Sequence, residues 1–305
     1  MVPLYISNYC DGSCQICSLR KSNSKIQRIK GTIDQITNQL QIILEIEKIE
    51  CVSFVSGELR PGHDRDVLIE NLCRCVQIAH SIGFKKIFVN VGELSHNEIN
   101  KFRNLNLASN SLICSIFQET YDNKLYDAFF NAGKENLKSN YTSRRKALNK
   151  WIEAGFTGVN LGILLGLGPP KDEIEALIHH AMELREYGAK EIVLSIPRIR
   201  GCAPPCPVSD EEFRSIVVSI AKIAPWAKIV ITTRESTAMI RDLLPMISII
   251  SPGSSDVLAY TESGKIPNNP LTSQFVINKY RNRPSEVLNM LQLQNDRIKY
   301  YTQKE

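Results

Sequence analysis

The sequence predicts an α/β fold, a (β/α)8 barrel of the TIM type formed by a single domain over residues 1–305. Short β-branched runs alternate with longer amphipathic stretches, which is typical of parallel β/α units. Eight such units fill about 250 residues, the usual size of this barrel, and no break in composition marks a second domain. An open, doubly wound sheet is the alternative, because periodicity does not show whether a sheet closes.

The predicted strands are the apolar runs at residues 4–7, 51–56, 86–91, 111–117, 158–164, 191–196, 228–233 and 246–250. Helices are predicted between them at residues 32–48, 66–82, 95–103, 141–154, 172–187, 209–223 and 235–244. In the first helix, Ile33, Ile36, Leu40 and Leu44 recur at spacings of three and four residues, which indicates one buried face. A helical tail is predicted at about 284–305.

The composition is that of a globular protein, with 43% hydrophobic and 23% charged residues. The net charge of +5 is spread along the chain, so a nucleic-acid partner is not predicted. The sequence has neither an apolar run of about 18 residues nor the pattern of a signal peptide, so we expect no membrane span. Nine cysteines without a secretory signal indicate a cytoplasmic protein, in which clustered thiols serve as metal or redox ligands.

Three cysteines form a compact motif directly after the first predicted strand. They are Cys10, Cys14 and Cys17, in a C-x3-C-x2-C spacing within a loop at residues 8–20. A closed structural zinc site requires four protein ligands. A [4Fe–4S] cluster held by three cysteines instead leaves one iron with a free coordination position for another molecule. The spacing therefore favours an open iron–sulfur cluster. A zinc site completed by a distant residue, or a chance grouping of thiols, is the alternative.

Five further segments of the sequence resemble motifs of one known enzyme family. They are Tyr5-Ile6-Ser7-Asn8-Tyr9-Cys10, Phe117-Gln118-Glu119-Thr120-Tyr121, Ser195-Ile196-Pro197-Arg198-Ile199-Arg200, Thr232-Thr233-Arg234-Glu235 and Ser251-Pro252-Gly253-Ser254-Ser255. Together with the cysteine motif, they resemble the aromatic amino acid lyase branch of the radical S-adenosylmethionine (radical SAM) superfamily. That branch includes the ThiH, HydG and NosL lyases. The resemblance runs from about residue 4 to residue 288.

The resemblance implies two cofactors, a [4Fe–4S] cluster on the three cysteines and S-adenosylmethionine bound to its open iron. Gly57 and Glu58, which close the second strand, match a pair that engages the amino group of S-adenosylmethionine. Glu119 matches a glutamate that contacts the ribose or methionyl part of the cofactor. Arg144 matches an arginine that pairs with its carboxylate, a task that suits the planar guanidinium fork. Ile16 stands where the superfamily usually has an aromatic residue, and we expect it near the adenine.

The resemblance also implies a substrate site at the same end of the barrel. Arg234 and Ser251 match the pair that holds the substrate carboxylate in the lyases, and the loop at residues 251–255 resembles an anion nest. The structural alternative is that Arg234 pairs only with Glu235 or Asp256 and holds loops together.

The implied activity is radical chemistry on an amino acid or a small amino-acid-derived substrate, in cofactor or secondary-metabolite biosynthesis. One electron, from a donor such as ferredoxin or flavodoxin, leads to cleavage of S-adenosylmethionine and to a 5′-deoxyadenosyl radical, with a lyase-like outcome. The alternatives are an HmdB-like maturation enzyme of the [Fe]-hydrogenase cofactor, a biotin-synthase-like enzyme and a catalytically silent iron–sulfur scaffold. HydG's cysteine-bearing C-terminal region has no counterpart in these 305 residues, so carbon monoxide and cyanide production is not expected.

The remaining cysteines and two histidines carry weaker signals. Cys202 and Cys206 follow the sixth strand and form a possible second thiol site. A proline-stiffened substrate loop with two incidental thiols is the favoured explanation, because two ligands do not make a closed metal site. We predict that the other thiols, those of Cys51, Cys73, Cys75 and Cys114, are core residues. We predict that His179 and His180 lie on the surface of a helix.

Overall fold

A computed structural model describes residues 1–130, 137–200, 203–264, 266, 269–275 and 283–291. Its eight strands form one parallel sheet in the order β1 to β8. They are β1 (Val2–Ser7), β2 (Cys51–Ser56), β3 (Lys86–Asn90), β4 (Leu112–Glu119), β5 (Gly158–Ile163), β6 (Glu191–Ser195), β7 (Lys228–Thr232) and β8 (Ile249–Ser251). Every strand overlaps the run that predicts it.

Helices connect successive strands on the outside of the sheet. They are α1 (Ile33–Gln41, continued by a π-helical turn, Ile42–Ile46), α2 (His63–Ile82), α3 (His96–Arg103), α4 (Asn123–Phe130), α5 (Tyr141–Glu153), α6 (Pro170–Tyr187), α7 (Asp210–Ile223), α8 (Thr237–Leu243) and α9 (Pro284–Met290). A 3-10 turn, Leu137–Ser139, precedes α5. Helix α4 is absent from the sequence prediction, and the end of the predicted tail, 292–305, lies outside the described residues.

The two edges of the sheet meet, so the sheet curls into a nearly closed barrel. Tyr5 of β1 forms a parallel bridge with Val257, and the amide of Leu258 donates to the Tyr5 carbonyl at 3.0 Å. The amine of Met1 donates to the carbonyl of Ile250 at 3.0 Å. The predicted barrel is therefore confirmed, and the open doubly wound sheet is excluded.

Alternation along the strands builds the inside of the barrel in layers, because every second side chain points inward. A buried apolar plug closes the amino-terminal end and consists of Cys51, Phe88, Ile113, Val193, Val230 and Ile249. Two residues further along their strands lie polar side chains that face an internal space: Ser53, Asn90, Ser195, Thr232 and Ser251. This ring of polar groups, with Asn160 of β5, forms the floor of the carboxyl-terminal end, where barrels of this kind place their active sites.

The cysteines predicted as core residues, Cys51, Cys73, Cys75 and Cys114, are all buried. The surface position predicted for His180 is wrong. His179 has 72% of its side chain exposed, but His180 is buried and its Nδ1 lies 2.7 Å from the hydroxyl of Tyr121. Adjacent residues of a helix point about 100° apart, so one can face solvent while the other faces the core. No helix in the described ranges is both long enough and apolar enough to cross a membrane.

Candidate active site

The loop that carries the three cysteines is fixed by its own polar contacts. The Asn8 amide donates to the carbonyls of Gln27 at 2.8 Å and Thr272 at 3.2 Å, and its oxygen accepts from the Ile29 amide at 2.6 Å. The Arg28 guanidinium donates to three carbonyl groups of the same loop, at 2.6, 2.9 and 2.9 Å. Buried polar groups satisfied in this way hold the loop in one shape before anything binds.

Cys10, Cys14 and Cys17 all line one space, which we call the cysteine cavity and which encloses about 1000 Å³ including its open mouth. The amide of Gly12 donates to the Cys10 sulfur at 3.3 Å, and a Cβ at residue 12 would lie 3.2 Å from that sulfur. The amide nitrogen of Gln274 lies 3.6 Å from the Cys17 sulfur. Hydrogen bonds of this kind stabilise sulfur that carries negative charge.

The three thiols fit an iron–sulfur cluster better than a single metal ion. Burial raises the pKa of Cys10 to about 12 and also raises the pKa values of Cys14 and Cys17, so the thiols need a bound metal to become thiolates. In the described part of the chain, no three His, Cys, Asp or Glu side chains converge on one ion. In a [4Fe–4S] cluster each thiolate binds its own iron, so the sulfurs stand apart, as a three-cysteine loop allows.

Two predicted cofactor residues, Glu58 and Arg144, form an ion pair in the wall of the cysteine cavity. Nη1 of Arg144 lies 3.1 and 3.0 Å from the two carboxylate oxygens of Glu58, and its Nε donates to the Phe117 carbonyl at 3.0 Å. Burial alone would raise the pKa of Glu58, but Arg144 and Lys138 hold that pKa below its usual value. Arg144 is thus buried rather than a solvated helix residue.

Glycines bring the ends of two strands against these groups. A Cβ at Gly57 would lie 2.2 Å from the Tyr9 carbonyl oxygen and 2.6 Å from the Cys10 Cβ. Gly92 has φ +85°, and a Cβ there would lie 2.4 Å from the Glu58 side chain. No side chain fits at such distances, so glycine is required at both positions.

Glu119 lies at the end of β4 in a left-handed conformation with φ +70°. This conformation is rare for residues other than glycine and is a recurrent feature of functional sites. Its carboxylate accepts from the ammonium of Lys138 at 2.7 Å. Burial would lower the pKa of Lys138, but Glu119 and Cys14 outweigh it and raise that pKa. Lys138 was not predicted as a site residue, because a single lysine outside any periodic segment forms no recognisable pattern.

Ile16 also lines the cysteine cavity, as expected from its place beside the third cysteine. Its side chain packs against a small apolar cluster beneath the loop, whose buried members are Cys14, Tyr126, Phe130, Leu164 and Leu167. Helix α4, which the sequence did not predict, contributes two of them, Tyr126 and Phe130, and Phe130 lines the cavity.

A second space, the barrel cavity, lies beneath the first and encloses about 990 Å³ including its opening. Seven residues line both spaces, so the two are joined: Tyr5, Val55, Asn90, Phe117, Pro197, Arg234 and Phe275. The predicted substrate residues Arg234 and Ser251 both line the barrel cavity. In its floor, Asn160 donates to Ser115 and accepts from Ser195, both at 3.0 Å.

Arg234 has a guanidinium that no described carboxylate neutralises. The alternative partner Glu235 is instead bound by Arg198 and Arg200, and Asp256 accepts from Ser254 at 2.8 Å and from two other hydroxyls. The guanidinium stacks 3.8 Å from the ring centre of Phe275. Burial lowers the pKa of Arg234, the expected result for a cation held out of water.

The possible second thiol site is not brought together with this one. Cys206 is half-buried and its amide donates to the Gly166 carbonyl at 2.9 Å, but it lines neither cavity. Cys202 lies outside the described residues, so the pairing of these two cysteines stays a prediction.

Comparison with known proteins gives a consistent result. No established family profile matches the sequence. The chain is 27% identical over 286 residues to the 2-iminoacetate synthase of Escherichia coli, covering 90% of this chain and 70% of that protein. It is 25% identical over 305 residues to the enzyme of the same name from Salmonella typhimurium, covering 96% and 74%.

Two solved structures of the maturase HydG also match, each with a TM-score of 0.80. One, from Carboxydothermus hydrogenoformans, is 24% identical and the other is 27% identical. Each match covers 95% of this chain but only 66% and 62%, respectively, of the HydG chains, so the chain spans about two thirds of their length or less. In its sequence, its barrel and its cysteine loop, the chain is similar to the branch of the radical SAM superfamily that contains 2-iminoacetate synthase and HydG.

Proposed function

We propose that this chain is a radical SAM enzyme that acts on an amino acid, or on a small molecule derived from one, in cofactor or secondary-metabolite biosynthesis. Cys10, Cys14 and Cys17 would hold one [4Fe–4S] cluster, and S-adenosylmethionine would occupy the cysteine cavity. The observation that carries this proposal is the half-buried Arg234 guanidinium, which no carboxylate of the described residues neutralises, where the cysteine cavity joins the barrel cavity. A partly desolvated cation that no carboxylate neutralises is a favourable site for an anionic ligand.

The charges of the cysteine cavity complement the ends of S-adenosylmethionine. Its methionyl part carries one ammonium and one carboxylate, and the Glu58–Arg144 pair offers one charge of each sign. Glu119, held by Lys138, would accept hydrogen bonds from the ribose hydroxyls or the amino group. Ile16 would pack against the adenine. When bound, the reduced cluster would supply the electron that splits S-adenosylmethionine to a 5′-deoxyadenosyl radical, which takes a hydrogen atom from the substrate.

The lining of the barrel cavity suits a substrate that carries a carboxylate and at least one further polar group. Arg234 would bind the substrate carboxylate through its planar fork, and the Ser251 hydroxyl would donate to the same group. The described lining contains no Asp or Glu, and its floor is a ring of serine, threonine and asparagine side chains. Such a floor would orient a hydroxyl or amide of the substrate by hydrogen bonds. By analogy with the relatives, the outcome would be cleavage of a carbon–carbon bond.

The enzyme would depend on a one-electron donor such as ferredoxin or flavodoxin, and we infer a cytoplasmic location because its free thiols need a reducing compartment. The direct test is anaerobic reconstitution of the cluster, addition of dithionite and S-adenosylmethionine, and detection of 5′-deoxyadenosine by mass spectrometry. A panel of amino acids that includes tyrosine and tryptophan would then be screened for a compound that increases its formation.

The substrate role of Arg234 has a matched control. Arg234→Gln should abolish the increase caused by the substrate and leave the slow uncoupled cleavage in place. Arg200→Gln removes an arginine that lines neither cavity and pairs with Glu235, so it should retain the increase. A fully loaded protein that makes no 5′-deoxyadenosine with or without amino acids would contradict the proposal.

A further inference from the structure

Cys10 separates two spaces on opposite sides of the cysteine loop. On the inner side is the cysteine cavity. On the outer side is a surface depression, here called the outer groove. Its lining includes Tyr9, Cys10, Asp11, Lys21, Arg28 and Arg60. Cys10 is the one described residue that lines both. At this point the wall between the cysteine cavity and the surface is therefore a single residue.

The surface beside the outer groove is basic. Residues 12–33 contain five cations and neither Asp nor Glu: Arg20, Lys21, Lys25, Arg28 and Lys30. The three lysines are exposed, and the guanidinium of Arg28 donates to carbonyl oxygens. Within a net charge that is spread along the chain, this segment of 22 residues is a local excess of five positive charges with no negative one.

The negative charges of the groove are few. Asp11 lies 3.3 Å from the Lys21 ammonium and accepts from the Arg60 amide at 3.0 Å. Asp64, exposed at the start of α2, is the other acidic residue in the lining. The segment at 12–33 contributes Lys21 and Arg28 to the lining and adds two exposed lysines, Lys25 and Lys30, and no acidic residue. A negatively charged surface is the complement of such a patch.

Tyr9 gives the groove the composition of a protein contact. Its side chain is 44% exposed although it is a large aromatic residue next to a buried cysteine loop. Exposed tyrosine and arginine side chains in a depression are typical anchors of protein–protein interfaces. The groove is also preformed, since Asp11 ties the loop at residues 59–62 to the cysteine loop and Arg28 fixes the segment behind it. Rigid surfaces of this kind bind with a smaller loss of entropy.

We propose that the outer groove and the basic segment at residues 12–33 form the docking surface for a small acidic electron-transfer protein. This inference rests on the proposed function. The donor would place its redox centre against Tyr9 and Cys10, so that one electron passes inward by the shortest route. The donor is oxidised by one electron and the cluster is reduced by one electron, and no bond forms or breaks at the interface.

The test uses the reconstituted full chain with two probes, a purified flavodoxin and a plant-type ferredoxin. Affinity is measured anaerobically by biolayer interferometry, and reduction of the cluster by the reduced probe is followed by stopped-flow absorbance. Lys25→Glu/Lys30→Glu should weaken binding of at least one probe by about tenfold at low ionic strength, mainly through a slower association rate. Added salt should weaken binding to the unaltered chain and remove most of the difference.

The matched control is Lys146→Glu/Lys222→Glu, which makes the same change of charge at exposed lysines of α5 and α7 outside the groove. It should bind the probes like the unaltered chain. Cleavage of S-adenosylmethionine driven by dithionite should be the same in both double variants, because dithionite needs no docking surface. Failure of that assay would count against the proposed function, whereas affinity is measured independently of it.

Two results would overturn the docking surface. One is equal affinity and equal rates of cluster reduction for the two double variants. The other is the absence of measurable binding of either probe to the unaltered chain at low salt.

Discussion

Nη1 of Arg144 contacts both carboxylate oxygens of Glu58, at 3.1 and 3.0 Å, in a wall where the two side chains are only 5% and 10% exposed. The pair is therefore both a structural contact and the most polar part of the proposed cofactor site. Removal of one member would leave the other as a buried charge without its partner, which costs more than removal of both.

Glu58→Gln should lower the free energy of unfolding of the cluster-free protein by about 3 kcal/mol, because Arg144 loses its counter-charge. Urea denaturation followed by circular dichroism measures this change. The double variant Glu58→Gln/Arg144→Met should recover part of the loss, and the resulting double-mutant cycle isolates the pair. Additive losses for the two single changes would show that the pair contributes nothing.

Acid should destabilise the protein through His180. Burial lowers the pKa of His180 to about 3, and its Nε2 has no hydrogen-bond partner in the described structure. Between the unfolded pKa of about 6.5 and that folded value the unfolded chain binds the extra proton, so stability falls as pH decreases. At pH 5 this group alone should cost about 2 kcal/mol relative to neutral pH.

The pH dependence has a control in the neighbouring residue. His180→Gln should flatten the dependence of the unfolding free energy on pH between about 6.5 and 4. His179→Gln, at the exposed position one residue earlier, should leave the slope as it is. If both variants keep the same slope, another group is responsible for the acid sensitivity.

Gly57→Ala should impair assembly of the iron–sulfur cluster. The added methyl group would lie 2.2 Å from the Tyr9 carbonyl oxygen and must displace the cysteine loop. We expect a loss of about 1–3 kcal/mol in stability, as for other overpacked sites, and loss of most of the bound iron and sulfide. Chemical analysis of iron and sulfide per chain after reconstitution provides the measurement.

Gly155→Ala controls for instability alone. Gly155 has φ +92°, and its added Cβ would meet no atom within 4 Å. The variant should lose about 1 kcal/mol through backbone strain but should bind the same amount of iron as the unaltered chain. Equal iron contents in the two variants would argue against a close fit between β2 and the cysteine loop.

Lys138→Met should weaken the binding of S-adenosylmethionine, because Glu119 loses the charge-assisted hydrogen bond that holds it in place. Such a bond contributes about 1.5 kcal/mol, which corresponds to about a tenfold change in affinity. Isothermal titration calorimetry on the reconstituted protein measures it. Lys138→Arg should retain most of the affinity, and Lys124→Met, at an exposed position on α4, should retain all of it.

The sequence predicts most of the barrel because strands and helices have different hydrophobic periods, and these are local properties. Helix α4 escaped prediction because its apolar face covers the cysteine loop rather than the barrel. The inward-facing polar ring was not predicted either. Its members, among them Ser53 and Asn160, come from different strands and become neighbours only when the barrel closes.

The predicted site residues come together around two joined cavities, apart from Cys206, which lines neither of them, and Cys202, which lies outside the described residues. The three cysteines and the residues at the strand ends could be predicted, because a residue that directly follows a strand lies at the carboxyl-terminal end of the barrel. Lys138 and the burial of His180 could not, since each depends on the direction of one side chain. The basic surface beside Cys10 was not predicted, because the net charge of the whole chain does not reveal the charge of one segment of 22 residues.

Two strands lose their regular register near the site. Pairing shifts between Tyr5 and Ser7 in β1, and again between Phe117 and Glu119 in β4. In each strand the residue before the shift lines both cavities, and the chain beyond it leads to the cysteines or to Glu119 and its ion pair with Lys138. A shift of this kind releases the following residues from strict inward and outward alternation. The register shifts therefore give each strand two tasks: the residues before the shift keep the alternation that builds the barrel, and the residues after it are free to turn toward the cysteine loop or Lys138.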